Sequence, residues 1–197
     1  MKAKEDLYVS LINTIKNTVP ISDSDLNLVI ELFEPKQLNK KEFLLFKGDV
    51  SHHMRFVCDG CLRVYSNNEK GEEFIVQFGI KNWWVNDLHS YLSNAPAQYT
   101  IQAIRASTVL QIHRDKLETL FNKVPIMERF FRIKIQSAYV ATQVHTLKAI
   151  SETSESRYLN FLSKYRDIEQ AVPQYMVASY LGISPEHLST IRKKLHQ

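Results

Sequence analysis

The chain has 197 residues, 44% hydrophobic and 23% charged, enough to bury one large core or two small ones. No run of about 18 apolar residues occurs, and acids and polar residues interrupt the N-terminal MKAKEDLYVSLINTIKN. A membrane span and a secretory signal are therefore not expected, and the expected location is the cytoplasm. The net charge of +4 is uneven: residues 1–124 balance at zero, residues 125–151 carry +3, and residues 152–197 carry +1 with Arg192, Lys193 and Lys194 adjacent. Local positive charge suits a nucleic-acid surface, although basic residues also complement a helix C-terminus.

Leu7, Leu11 and Ile15 recur along one helical face, and Ser22 with Asp25 resembles a capping box before Leu26, Val29, Ile30 and Phe33. After Pro35 short apolar runs take over: FLLF at 43–46, MRFVC at 54–58, CLRVY at 61–65, FIVQFG at 74–79, YTIQAI at 99–104 and TVLQI at 108–112. Lys47-Gly48-Asp49, Asp59-Gly60, Asn67-Asn68 and Lys70-Gly71 punctuate them, which predicts a compact antiparallel barrel or sandwich. His113 to Phe121 returns to helical spacing.

Two cysteines, Cys58 and Cys61, flank Asp59-Gly60. A zinc or iron–sulfur site wants about four ligands, and a thioredoxin-like pair would open a helix, whereas both flanks here read as strands. The expectation is two small, half-buried strand residues around a hairpin turn. Adjacent strand residues point to opposite faces, so His52 and His53 are not expected to share a metal ion. Trp83, Trp84, His89 and Tyr91 either line a pocket for an aromatic or apolar ligand or form a packed barrel wall.

From Pro125 the pattern is heptad-like. Ile126, Phe130, Ile133, Ser137, Val140, Val144 and Leu147 alternate steps of four and three, which predicts a helix of about 25 residues spanning roughly 38 Å. Such a stripe needs a partner, either the chain's own barrel or a second copy. Ser151-Glu-Thr-Ser then caps a further helix carrying Tyr158, Leu159, Leu162 and Tyr165.

The last stretch, Pro173 to Leu195, reads as a helix-turn-helix. Met176, Val177 and Leu181 give the first helix an apolar side, and the small Ala178 lets a second helix cross closely. Gly182 suits a turn with positive φ. Ser184 and Pro185 suit an N-cap and first helical position, and Leu188, Ile191 and Leu195 form the inward stripe of the second helix. Helix-turn-helix readers commonly pair on two half-sites, which favours the second-copy reading of the heptad seam.

This order of barrel, long helix and helix-turn-helix resembles the CRP/FNR superfamily, and strongly the short members common in the Bacteroidetes. Gly48 and Gly60 in LFKGDVSHHMRFVCDGCLRVY match the family's spaced glycines, and VPQYMVASYLGISPEHLSTIRKKL matches its C-terminal signature. The resemblance implies an α+β chain: a cyclic-nucleotide-binding-like β-roll (double-stranded β-helix, jelly-roll or cupin-like) with N-terminal helices over 1–124, a dimerisation helix over 125–151, and an all-α helix-turn-helix domain over 152–197. It implies a sequence-specific DNA-binding transcription regulator rather than an enzyme, acting as a homodimer on double-stranded DNA, with RNA polymerase as a partner and a small-molecule effector on the roll.

Two departures stand out. Members that bind cyclic AMP carry Gly-Glu-Leu followed by Arg-Ser/Thr-Ala, where this chain has Asn86-Asp87-Leu88 and Gln98-Tyr99-Thr100. Losing the arginine removes the charge-assisted partner of a buried phosphate, so cyclic AMP is not expected to bind and no cofactor is assigned. Trp84, Asn86, Asp87, Leu88, Gln98, Tyr99 and Thr100 remain the candidate effector pocket. In the recognition helix Glu186 matches a base-reading glutamate of the family, while Pro185 and Thr190 stand at its arginine positions.

Phosphate-contacting candidates are Gln174, Tyr175, His187, Arg192, Lys193 and Lys194. Base-edge candidates are Glu186, Ser189 and Thr190, opposite Leu188 and Ile191, with Ser184 and Pro185 completing the DNA-facing set. The rivals are a cupin-like metal-dependent enzyme, which needs about three or four converging ligands that are not found in the sequence, and a protein-interaction module with a vestigial helix-turn-helix.

Overall fold

The computed structural model describes residues 2–195, with side-chain surroundings from Leu7 onward. Helices α1 (Lys2–Lys16) and α2 (Asp23–Leu32) lead the chain. Ser22 caps α2 by accepting the Asp25 N–H at 3.1 Å, and Tyr8 on α1 donates its hydroxyl to the Phe33 carbonyl at 2.8 Å. Tyr8, Leu11, Ile15, Leu26 and Val29 are thereby turned into a common core.

Seven strands follow: β1 (Glu34–Leu38), β2 (Phe43–Leu45), β3 (His53–Asp59), β4 (Cys61–Asn67), β5 (Glu73–Ile80), β6 (Thr100–Ala103) and β7 (Ser107–His113), with helix α3 (Leu88–Ser93) before β6 and α4 (Arg114–Lys123) after β7. They pair antiparallel in two sheets, of order β1-β7-β3 and β2-β6-β4-β5. Leu38, Val57 and Val109 of the first sheet meet Leu62, Val64 and Ile101 of the second in an apolar interior. Strand β1 was not signalled by the sequence. EPKQL buries only Leu38 and lies at an edge, where Pro35 is tolerated.

Two expectations about the CxxC segment are corrected. Asp59-Gly60 is not a hairpin turn, because β3 pairs with β7 while β4 pairs with β5 and β6. Gly60 instead carries the chain from one sheet to the other, at φ +100°, and a Cβ there would sit 2.1 Å from Ser107 Oγ. Cys58 and Cys61 are fully buried rather than half-buried, and both are free thiols. Burial pushes each thiol up to about 11, so neither supplies a thiolate at neutral pH.

Helix α5 (Ile126–Ser151) begins in the helical core beside α1, α2 and α4, where Met127, Phe130 and Phe131 are buried. Helices α6 (Ser154–Ala171), α7 (Gln174–Leu181) and α8 (Pro185–Leu195) complete the chain. Thr153 caps α6 by accepting the Ser156 N–H at 3.2 Å. Tyr158, Phe161, Ile168, Val177, Ala178, Leu188 and Ile191 form a third core that includes Cys61, Tyr65, Ile75 and Phe78 from the outer face of the second sheet. The roll is thus flanked by α1, α2, α4 and the start of α5 on one side and by α6–α8 on the other.

Candidate nucleic-acid interface

The α7–α8 joint is closed by backbone geometry. Gly182 adopts φ +67°, its N–H donates to the Ser179 carbonyl at 3.1 Å, and the Ile183 N–H donates to the Ala178 carbonyl at 3.0 Å. These are the paired bonds that end a helix at a left-handed residue. Ser184 Oγ then accepts the His187 N–H at 3.2 Å and Pro185 opens α8.

Leu188 and Ile191 are buried, which turns Glu186, His187, Ser189, Thr190, Lys193 and Lys194 outward to solvent. Leu195 is exposed, so the inward stripe ends one turn earlier than its spacing predicts. The Glu186 carboxyl is held below the usual carboxylate range by its own backbone N–H and the Ser184 hydroxyl, leaving an ionised acceptor at the start of the helix. Thr190 donates its hydroxyl to the Glu186 carbonyl at 3.1 Å, so its proton is already engaged.

Two phosphate candidates have a partner within the chain. Gln174 Nε2 donates to Glu169 Oε1 at 3.1 Å, and Arg192 Nη2 lies 3.5 Å from the same oxygen. Glu169 on α6 gathers both, and Arg192 is only part-exposed, with its Nε unpartnered. Tyr175, Lys193 and Lys194 stay exposed. Sequence reasoning missed Glu169 because it lies outside the motif.

It also missed how α7 meets the roll. The Ile75 N–H donates to Ser179 Oγ at 3.0 Å, and that hydroxyl donates to the Glu73 carbonyl at 2.9 Å. Tyr180 stacks on His145 of α5 with ring centroids 4.9 Å apart. Ser179, a polar motif position without an assigned role, was the available signal.

Several of the candidate effector residues are engaged within the chain. Trp84 is the packed wall of the alternative reading, its ring 5.3 Å from Phe56 and 5.2 Å from Phe131 between centroids. Trp83 turns away to Tyr165, and His89 is exposed. Asn86 Oδ1 accepts the Arg55 N–H, and Asp87 accepts the N–H groups of Ser90, Gln98 and Tyr99. Thr100 Oγ1 accepts the Lys47 N–H, and Leu88 packs against the helical core. Asp87 thus braces its own loop, Asn86 ties that loop to β3, and Thr100 ties β6 to the segment after β2, which sequence matching alone could not reveal. A cleft of about 470 Å³ lies elsewhere, between the α1–α2 turn and the α4–α5 elbow.

The heptad seam divides. Phe130 is fully buried in its own chain, and Ile126 and Ile133 pack against the same core. Ser137, Val140, Val144 and Leu147 face solvent, with Val140 at 59% and Leu147 at 64% exposure.

Residues 35–124, β1 through α4, match the cyclic nucleotide-binding domain family. The chain is 24% identical over 197 residues to the transcriptional activator protein anr of Pseudomonas aeruginosa, covering 91% of this chain and 77% of that relative. The chain thus carries a cyclic nucleotide-binding domain and is similar in sequence to a transcriptional activator. Two solved structures share the fold of this chain. FixK2 from Bradyrhizobium japonicum superposes with a TM-score of 0.73 at 18% identity, over 83% of this chain and 84% of that one. The global regulator CLP of Xanthomonas campestris gives 0.71 at 14% identity, over 89% and 92%.

Proposed function

We propose that this chain is a homodimeric, sequence-specific DNA-binding regulator of the CRP/FNR type, with a jelly-roll sensor over 1–124, a dimerisation helix over 125–151 and a helix-turn-helix domain over 152–197. The observation that carries the reading is α8 itself: its apolar residues Leu188 and Ile191 are spent inside the small domain, so its polar and basic side is left for another molecule. In this reading α8 enters the major groove by its N-terminal end. Glu186 accepts from a cytosine amino group, Ser189 and Thr190 meet base edges permissively, and Lys193, Lys194 and Tyr175 meet phosphates. Ser184 and Pro185 set the helix start against the backbone, with His187 beside them.

The outward half of the seam, Val140, Val144 and Leu147, supplies the contact with a second copy. Two copies so joined read half-sites about 34 Å apart, as an inverted repeat. The roll acts as the sensor, and cyclic AMP is not its ligand: Asp87 is spent on backbone N–H groups and Gln98 stands where the phosphate arginine would be. Calorimetry should detect no micromolar cyclic AMP binding.

Selection from random duplexes followed by titration at several salt concentrations tests the DNA reading. An inverted repeat should emerge, with log affinity falling linearly with log salt. Affinity that ignores both sequence and salt would overturn it.

A further inference from the structure

Arg55 on β3 is 4% exposed and pairs with no carboxylate among the described residues. Its Nη1 donates to Ser51 Oγ and the His53 carbonyl, each at 3.2 Å, while its Nε has no partner. The other buried arginine in the roll, Arg63, is fully served: both oxygens of Glu73 meet it, Gln102 Oε1 accepts from Nε and Nη2 at 3.0 and 2.7 Å, and the Tyr65 ring lies 4.2 Å from its guanidinium carbon. A buried cation without a counter-charge is costly unless something else supplies one.

Strand alternation fixes where Arg55 lies. Met54, Phe56 and Cys58 join the helical core and Val57 joins the interior between the sheets, so Arg55 and His53 share the interior face. Across β7 the register pairs Val57 with Val109, Arg55 with Gln111 and His53 with His113. The interior is therefore apolar towards Gly60 and polar towards the far end of the first sheet. There the Arg114 N–H donates to the His52 carbonyl at 2.9 Å, which makes His53 and His113 a non-hydrogen-bonded pair, the type with the closest side chains. Their rings are 5.1 Å apart, and the His52 ring lies 5.9 Å from His113. His52 is exposed and His113 part-exposed, so this end opens to solvent.

We propose that Arg55, with His53 and His113 beside it, forms an anion site at the end of the β-roll that takes the phosphate or carboxylate group of a small ligand. A guanidinium fork fits either group through two parallel bonds, and a neutral imidazole offers one N–H each. A cation is the poorer occupant. Burial first, and then Arg55, hold the His53 imidazole against protonation, and among the described residues no group of three or more His, Cys, Asp or Glu is placed to hold a metal ion. The nearby Glu34 carboxylate is engaged by Lys116 and does not neutralise Arg55. The site gives the sensor reading of the roll a ligand class, but anion binding is tested without DNA, so either can fail alone.

Imidazole resonances of the full chain, titrated with inorganic phosphate and separately with acetate at constant ionic strength, test it. His53 and His113 should shift saturably with at least one probe, and which probe acts tells a phosphate ligand from a carboxylate one. Arg55→Met should bind that probe at least roughly tenfold more weakly, while remaining as stable as the wild type in anion-free buffer because the unpaired charge is gone. Equal binding by Arg55→Met would overturn the site, as would no shift with either probe at tens of millimolar. Zinc shifting these resonances where both anions fail would overturn it in favour of a metal. If Arg55→Met does not fold, the guanidinium is a brace rather than an anchor and the proposal fails, unless the folded His53→Gln and His113→Gln variants each weaken anion binding.

Discussion

Arg192 Nη2 lies 3.5 Å from Glu169 Oε1, while its neighbour Lys193 is exposed. The two cations are adjacent in sequence but unequal in what they offer a phosphate. Lys193→Ala should weaken binding to all duplexes alike and lower the salt slope by about one. Arg192→Ala should lower the slope by less, because its charge is already partly answered within the chain, and should destabilise the small domain by leaving Glu169 short of a partner. Binding isotherms across a salt series, with urea denaturation alongside, separate the two.

Leu188 and Glu186 sit two positions apart on α8 with opposite roles. Leu188→Ala should cost about 2–5 kcal/mol, the range for emptying a buried leucine site, and so reduce DNA binding through unfolding. Glu186→Ala should leave the domain folded and shift base preference at one position per half-site by roughly ten- to a hundredfold. A selection experiment on both variants, paired with circular dichroism, reads this out.

The division of α5 sets two different outcomes for one kind of substitution. Aspartates at Val140 and Val144 together should give folded monomers by sedimentation, since these side chains face solvent within one chain and would place like charges across the proposed seam. Aspartate at Phe130 should instead unfold the protomer, because that ring is buried beside Trp84.

His53 makes stability depend on pH. In the folded chain its imidazole is depressed to about 4, by burial first and then by Arg55, His113 and His52, with Glu34 opposing. The unfolded chain takes up that proton near 6.5, so between pH 6.5 and 4 the unfolded state binds more protons and stability falls as pH falls. His53→Gln should flatten this part of a melting-temperature profile recorded in anion-free buffer. An unchanged profile would show that another group sets the slope.

Where local chemistry decides structure, the sequence was readable. The Ser22 and Ser184 caps, the Gly182 turn, the α5 span and six of the strands follow from propensity, periodicity and capping. Strand β1 was illegible because an edge strand with one buried residue carries no alternation. The seam was misread at Phe130 because a heptad pattern does not say whether its partner is another copy or the same chain. The internal engagement of Arg192 and Gln174 was illegible for a related reason, since Glu169, which meets both, is brought beside them only by folding. The hydrogen bonds of Asn86, Asp87 and Thr100 were illegible because a matched position says where a loop lies, not which partners its polar atoms find.

The Ser179 hydroxyl has a consequence beyond orientation. Strand β5 is the last of its sheet, and α7 occupies its Ile75 N–H and Glu73 carbonyl. Phe74 and Val76 beside them are exposed. A roll cut free of its C-terminal helices would bare an open strand edge with apolar flanks, the template on which further strands add. The C-terminal helices therefore guard the roll against self-association, and an isolated sensor fragment should aggregate where the whole chain does not.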